Sequence, residues 1–218
     1  MDLHEAIAAR HSVRQYLNKP LGDEEAAALE QLILEYNRES GLHIQLVRDE
    51  PRAFDGRMAH YGNFTNVTSY FALVGKKGPD TEEKIGYWGE KLVLEAQRLG
   101  LNTCWVALTY KKIPGAFTVE KGEKLYLVIS LGYGATQGKA RSSKSAEILG
   151  GVTDDSPEWY KKGIEAAMLA PTAINQQKFR FERKGDTVTA KALFGTPQTK
   201  IDLGIVKCHF EIGAGYKF

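Results

Sequence analysis

The sequence predicts an α+β fold, a central and mostly antiparallel sheet packed by helices, in a single domain over residues 1–218. Three observations carry this expectation. Helix-like and strand-like segments are mixed along the chain without strict alternation, which disfavours a doubly wound parallel sheet. A chain of 218 residues with 43% hydrophobic side chains buries a sizeable core without disulfides or metals. The chain also echoes itself: 28–50 overlays 163–185, and 85–96 overlays 201–212, in the same order. The echo implies two unequal pseudo-repeats, about 1–150 and 151–218, related by a pseudo-twofold axis inside one chain.

Each element follows from local chemistry. Asp2 and Glu5 stand at capping-box spacing before a helix over Leu3–Arg10. Pro20 and Gly22 break the chain, and Asp23 is read as the cap of a second helix through about Glu35, with Leu29, Leu32, Ile33 and Tyr36 facing inward. His43–Arg48 alternates as a half-buried strand does; an irregular stretch, Pro51–Thr68, precedes an apolar strand at Tyr70–Gly75. Ile85, Trp88, Leu92, Ala96 and Leu99 recur at helical spacing, predicting a buried helix over Asp80–Leu99 that Gly100 ends. Asn102–Thr109 and Leu125–Tyr133 read as strands, followed by a polar loop, Ala135–Ser145. Ser156 and Pro157 read as cap and first-turn proline of another helix, stopped by Pro171. Phe179–Arg183 and Thr187–Leu193 form a predicted hairpin, and Gln198–Ile212 a last helix.

Charge excludes several function classes. With 29 basic against 27 acidic residues the chain has almost no net field, which disfavours nucleic-acid or membrane-surface binding. The N-terminus lacks the apolar core of a signal peptide, and no apolar run is long enough to span a bilayer. Cys104 and Cys208 lie in apolar surroundings without ligand spacing, so they read as buried thiols of a cytoplasmic protein and no metal site is expected. Rossmann, P-loop, GxSxG and HExxH signatures are missing, which leaves organic redox chemistry with a bound cofactor.

Four segments carry candidate chemistry. Arg10, His11, Ser12 and Arg14 place two guanidinium groups around a hydroxyl, a donor set for a phosphate monoester, although an isolated RxSxR is more often a solvated turn. Arg141 and Lys144 offer further positive charge from the polar loop. Pro171, Thr172, Ala173, Asn175 and Gln177 present a hydroxyl and amides after a helix stop, and amides that both donate and accept suit the edge of a flavin pyrimidine ring. Thr103, Cys104 and Trp105 stand where the central helix joins a strand, a place where backbone N–H groups can face a ligand; Trp105 covers an aromatic ring or, as a lone buried tryptophan more often does, fills the core.

Together these segments resemble the nitroreductase family of FMN-dependent oxidoreductases. Arg10, Ser12 and Arg14 are similar to its arginine-serine-arginine phosphate motif, Ala170–Phe179 to its APSxxNxQPW loop, Leu99–Trp105 to its GLG-then-tryptophan turn, and Ile129–Lys144 to its late strand and basic loop. The order departs from the common pattern, because the amide loop stands near the C-terminus, and Lys178 and Phe179 replace proline and tryptophan. The resemblance therefore implies a nitroreductase-like fold in a single-chain branch, whose two halves mimic the dimer of common members and form one FMN site. It implies Arg10, Arg14, Arg141 and Lys144 on the phosphate, with Asn175 and Gln177 at the pyrimidine edge. Pro171–Ala173 and Thr103–Trp105 frame the ring. It implies NADH or NADPH as co-substrate, ping-pong hydride transfer through flavin N5, nitroaromatic or quinone-like small-molecule acceptors, and a monomeric pseudo-dimer or weak homo-oligomer. No protein acid or base is assigned. Two alternatives stay open on the sequence: a flavin enzyme of another class, a dehalogenase or dehydrogenase, and a non-catalytic FMN-binding or storage protein.

Overall fold

Four strands form one antiparallel sheet in the order β1-β2-β4-β3: β1 (His43–Val47), β2 (Ser69–Lys76), β3 (Asn102–Val106) and β4 (Glu123–Gly132). A separate hairpin joins β5 (Phe179–Lys184) to β6 (Thr187–Ala192). The helices are α1 (Leu3–Ala9), α2 (Asp23–Ser40), α3 (Arg57–Tyr61), α4 (Thr81–Arg98), α5 (Ala146–Gly150), α6 (Glu158–Met168) and α7 (Thr199–Ala214). These come from a computed structural model that describes all residues from Met1 to Phe218. The α+β class with an antiparallel sheet is the one the sequence predicts.

The chain divides into two compact units. One comprises Arg10–Thr81 and Leu92–Ala140 and contains the four-stranded sheet. Its central strands β2 and β4 are buried on both faces, because side chains alternate along a strand and each face finds apolar partners. Tyr70, Ala72 and Val74 join a core with Val13, Tyr16, Phe54, Phe64, Cys104 and Val128, while Phe71 and Leu73 of the opposite face are fully buried. Val13, Phe54, Phe64 and Val128 of this core each contribute roughly 1.5–3 kcal/mol of transfer free energy on burial, so the layer holds the sheet firmly.

The other unit comprises Met1–Ala9, Glu82–Lys91 and Arg141–Phe218, and holds α1, the first half of α4, α5, α6, the hairpin and α7. Its core is aromatic: Tyr160, Phe179, Phe181 and Phe210 are buried, with Phe181 stacked on Phe210 at 4.8 Å. α7 is bound to the first half of α4 by Tyr87 Oη to Glu211 Oε2 (2.6 Å) and Lys207 Nζ to Glu83 Oε1 (2.5 Å). No helix is long and apolar enough to cross a membrane.

Local expectations are met unevenly. The capping box is reciprocal: Asp2 N donates to Glu5 Oε2 and Glu5 N to Asp2 Oδ1, both at 2.8 Å. Asp23 does not cap α2, because Gly22 holds that position and the Asp23 carboxylate accepts from Arg48 Nη2 at 2.7 Å; the helix also runs on to Ser40. Ser156 does not cap α6 either, since Pro157 occupies the cap position and Ser156 Oγ accepts from Thr153 N at 2.9 Å. The irregular 51–68 stretch contains α3, and the short α5 follows a Ser145 cap that the sequence reading did not single out.

Candidate functional site

In the sheet-bearing unit the arginine segment runs as an extended strand-like arm. Ser12 bridges Thr103 in parallel, and Val13 N donates to Thr103 O at 3.0 Å, so the arm lies along the free edge of β3. Further on, Tyr16 N donates to Thr65 O at 3.1 Å and Ala135 N to Gln15 O at 2.8 Å. Extended chain alternates its side chains. Val13 and Tyr16 are therefore buried, with Tyr16 Oη donating to Val13 O at 2.8 Å, while Ser12 and Arg14 share the exposed side.

Arg10 is 2% exposed, His11 half-buried, and the Arg14 guanidinium stands 6.0 Å from the centre of the Phe64 ring. The loop after β4 passes close over this arm at Gly138, which has φ +76°; a Cβ there would lie 2.6 Å from that of His11. Beneath the arm, burial pushes the Cys104 thiol up, and Arg14, a hydrogen bond with Ser12, and Arg10 pull it back only in part. Thr103 and Cys104 are buried and Trp105 half-buried, so the strand start backs the arm. Chemically, an exposed hydroxyl and guanidinium beside a second, buried guanidinium form a donor set for an oxyanion.

In the helical unit the residues of the amide loop are brought together with those of the basic loop. Arg141 Nε donates to Asn175 Oδ1 at 2.8 Å, and Arg141 Nη2 donates to the carbonyls of Met168 (3.3 Å) and Ala170. Asn175 Nδ2 returns a bond to Ser142 O at 3.0 Å. Lys144 N donates to Gln177 Oε1 (2.8 Å), and Gln177 Nε2 to Ser143 Oγ (2.8 Å). Lys144 Nζ then donates to the carbonyls of Gln176 and Gln177, at 3.0 and 2.9 Å.

The loop so held is strained. Ile174, Asn175 and Gln177 have φ of +48°, +55° and +44°, a region that side chains other than glycine seldom adopt and that costs on the order of 1–3 kcal/mol per residue. Thr172 Oγ1 steadies it by accepting from Gln177 N at 3.1 Å. On its far side the Asp202 carboxylate accepts from Ala173 N (3.0 Å) and Gln176 Nε2 (2.7 Å), and Thr196 N donates to Gln176 Oε1 at 3.0 Å. Burial raises the carboxyl of Asp202 above its ordinary value, and the two hydrogen bonds offset this in part.

Residues 2–214 match the family model described as "Putative TM nitroreductase". The chain belongs to that family. No curated protein matches it. Among solved structures it is similar to a "putative nitroreductase" of Thermotoga maritima, with 22% identity over 98% of this chain and 83% of that one and a TM-score of 0.71. It is also similar to a "putative nitroreductase in complex with FMN" from Desulfovibrio desulfuricans (20% identity, 72% of this chain and 99% of that one, TM-score 0.53). A "putative NADH dehydrogenase/NAD(P)H nitroreductase" from Bacteroides thetaiotaomicron gives 18% identity, 67% and 95% coverage, and a TM-score of 0.53. At these identities the likeness is one of fold, and the architecture is nitroreductase-like.

For this member of the nitroreductase family, sequence reasoning missed Ser142, Ser143, Thr196 and Asp202. Each meets the amide loop from a distant part of the chain. Only Asp202 left a signal, as the one acidic residue among the buried positions of the last helix.

Proposed function

We propose that the chain is an FMN-dependent oxidoreductase that draws reducing equivalents from NADH or NADPH and delivers them to nitroaromatic or quinone-like acceptors. The observation that carries this reading is the arm at β3, where Ser12 and Arg14 share an exposed side next to Arg10. This donor set fits a phosphate monoester, which carries nearly two negative charges. Arg10, Ser12 and Arg14 hold the phosphate in this reading, with His11 alongside, and Thr103, Cys104 and Trp105 form the edge that supports them. Asn175, Gln177 and the backbone of Pro171, Thr172 and Ala173 meet the ring. When bound, FMN supplies the redox chemistry, and the protein supplies charge, orientation and exclusion of water.

Membership of the family, together with the likeness of this chain's fold to a putative nitroreductase in complex with FMN and to a putative NADH dehydrogenase/NAD(P)H nitroreductase, supports the reading. The pseudo-repeats, about 1–150 and 151–218, take the part of two subunits, so one FMN is bound per chain. The test is the visible spectrum of the purified protein, alone and with added FMN, beside Arg10→Ala and Arg14→Ala. The wild type is expected to hold flavin, and Arg14→Ala to bind FMN about tenfold more weakly while its affinity for riboflavin, which lacks the phosphate, is unchanged. Anaerobic NADPH or NADH should then bleach the bound flavin without a second protein. A colourless protein that FMN cannot reconstitute overturns the reading, and a bound flavin that neither nicotinamide reduces restricts it to FMN binding.

A further inference from the structure

The hydrogen bonds between the two loops of the helical unit form a closed pattern. Chemistry fixes their polarity, because the Nε of Arg141 and the backbone N of Lys144 only donate. The Asn175 and Gln177 oxygens must therefore face the 141–144 segment as acceptors, and their amide nitrogens must donate to Ser142 O and Ser143 Oγ. Each of these bonds uses one lone pair and one N–H of an amide that has two of each; Asn175 is half-buried and Gln177 only 2% exposed, so the remaining capacity of Asn175 is the more accessible to a ligand. The Lys144 ammonium meets two carbonyls of the strained turn, and the Arg141 guanidinium two more at the helix end before it. Charge-assisted bonds of this kind offset the left-handed residues at 174, 175 and 177.

From this geometry we infer that residues 141–144 are a strap that sets the shape and amide polarity of the 170–177 loop, with Arg141 and Lys144 as its positioning residues rather than phosphate ligands. The inference rests on the FMN reading for the identity of the ligand, but the strap itself is a property of the free protein. The strap presents the ring edge with amides already oriented, so ordering is not left to the moment of binding.

Two measurements test this on wild type, Lys144→Met and Arg141→Met. The first is amide hydrogen exchange over 170–178 in flavin-free protein, read beside the thermal midpoint. Both substitutions are expected to speed exchange there by about tenfold or more while the midpoint hardly moves, since both side chains are only half-buried. Unchanged exchange overturns the strap, and so does a fall in the midpoint with exchange raised everywhere alike. The second is affinity for FMN and for riboflavin. Both ligands are expected to weaken together, by roughly tenfold, with their ratio kept within about twofold. A loss confined to FMN places these side chains on the phosphate and overturns the positioning role. If wild type binds neither flavin, the functional reading fails, and the exchange measurement still decides the strap.

Discussion

Gly86 of α4 and Gly204 of α7 each lie against the backbone of the other helix. A Cβ at Gly86 would fall 1.9 Å from the carbonyl oxygen of Ile201, and one at Gly204 would fall 1.9 Å from that of Glu83. The contact is reciprocal: each glycine sits three residues beyond the carbonyl that meets its counterpart, as an isologous interface requires. It supports the pseudo-repeat proposal, and its register is two residues out of step with the ungapped sequence overlay. Alanine at either position gains up to about 1 kcal/mol of helix propensity but meets backbone, which cannot rotate away. Gly86→Ala and Gly204→Ala are each expected to lose about 2 kcal/mol or more in urea unfolding, and the double substitution less than the sum because both relax the same crossing. A variant as stable as wild type would mean the helices part at no cost.

Glu90 and His209 form a second link across the same helix pair. Both are fully buried, His209 Nε2 lies 2.7 Å from Glu90 Oε1, and Nδ1 lies 3.1 Å from Ala166 O. A carbonyl only accepts, so Nδ1 carries a proton. Glu90→Ala leaves Nε2 without this partner in an apolar interior and is expected to cost about 1–3 kcal/mol. Glu90→Gln, which still fills the space and bonds Nε2, should cost less than half of that by the same unfolding measurement. Equal losses in the two variants would show that shape rather than pairing is what the site requires.

How far the sequence reaches is visible in these residues. Periodicity located α4 and α7 because burying one side of a helix leaves a mark in the chain, and it located the strands of the sheet for the same reason. Asp23 and Ser156 misled because a cap residue is recognised by type alone, whereas Arg48 and Thr153, which take their side chains, are known only after folding. The arm at Arg10–Arg14 was legible as a motif, but its alternation, with Ser12 and Arg14 out and Val13 in, depends on the edge of β3. The strap was illegible. A run of Arg, Ser and Lys reads as solvated loop, and its partners stand some thirty residues away.

The two thiols should be inert in the folded protein. Burial pushes Cys104 up, and pushes Cys208 well above its usual value with the Glu90 charge adding to the effect. Iodoacetamide at mildly alkaline pH is expected to label neither in native protein and both in denaturant, as counted by intact mass. Cys104 lies under the arginine arm, so its labelling reports opening of that arm, and an oxyanion held by Ser12 and Arg14 should slow it further. Rapid native labelling of Cys104 would contradict the packing of Val13 against β3.

Asp202 gives the fold a pH term whose sign is opposite to that of most carboxylates. Its folded value is raised by burial above the ordinary 3.8, so between those two values the folded chain keeps a proton that the unfolded chain has released. Its contribution to stability is full below about 3.8, falls as pH rises through the folded value, and is constant above it. Asp202→Asn removes this term while every other carboxylate titrates as before, so the difference in unfolding free energy between wild type and variant isolates it. The variant also turns an amide nitrogen toward Gln176 Nε2, which is held in place by Thr196 N on Gln176 Oε1, so a donor meets a donor. The variant is therefore expected to be less stable than wild type, and the gap should narrow as pH rises through the window. Urea unfolding of both proteins from about pH 3 to pH 7 reads the slope directly. Parallel curves would mean that Asp202 has the same proton affinity folded and unfolded, and a gap that widens with pH would mean that the hydrogen bonds from Ala173 and Gln176 outweigh burial.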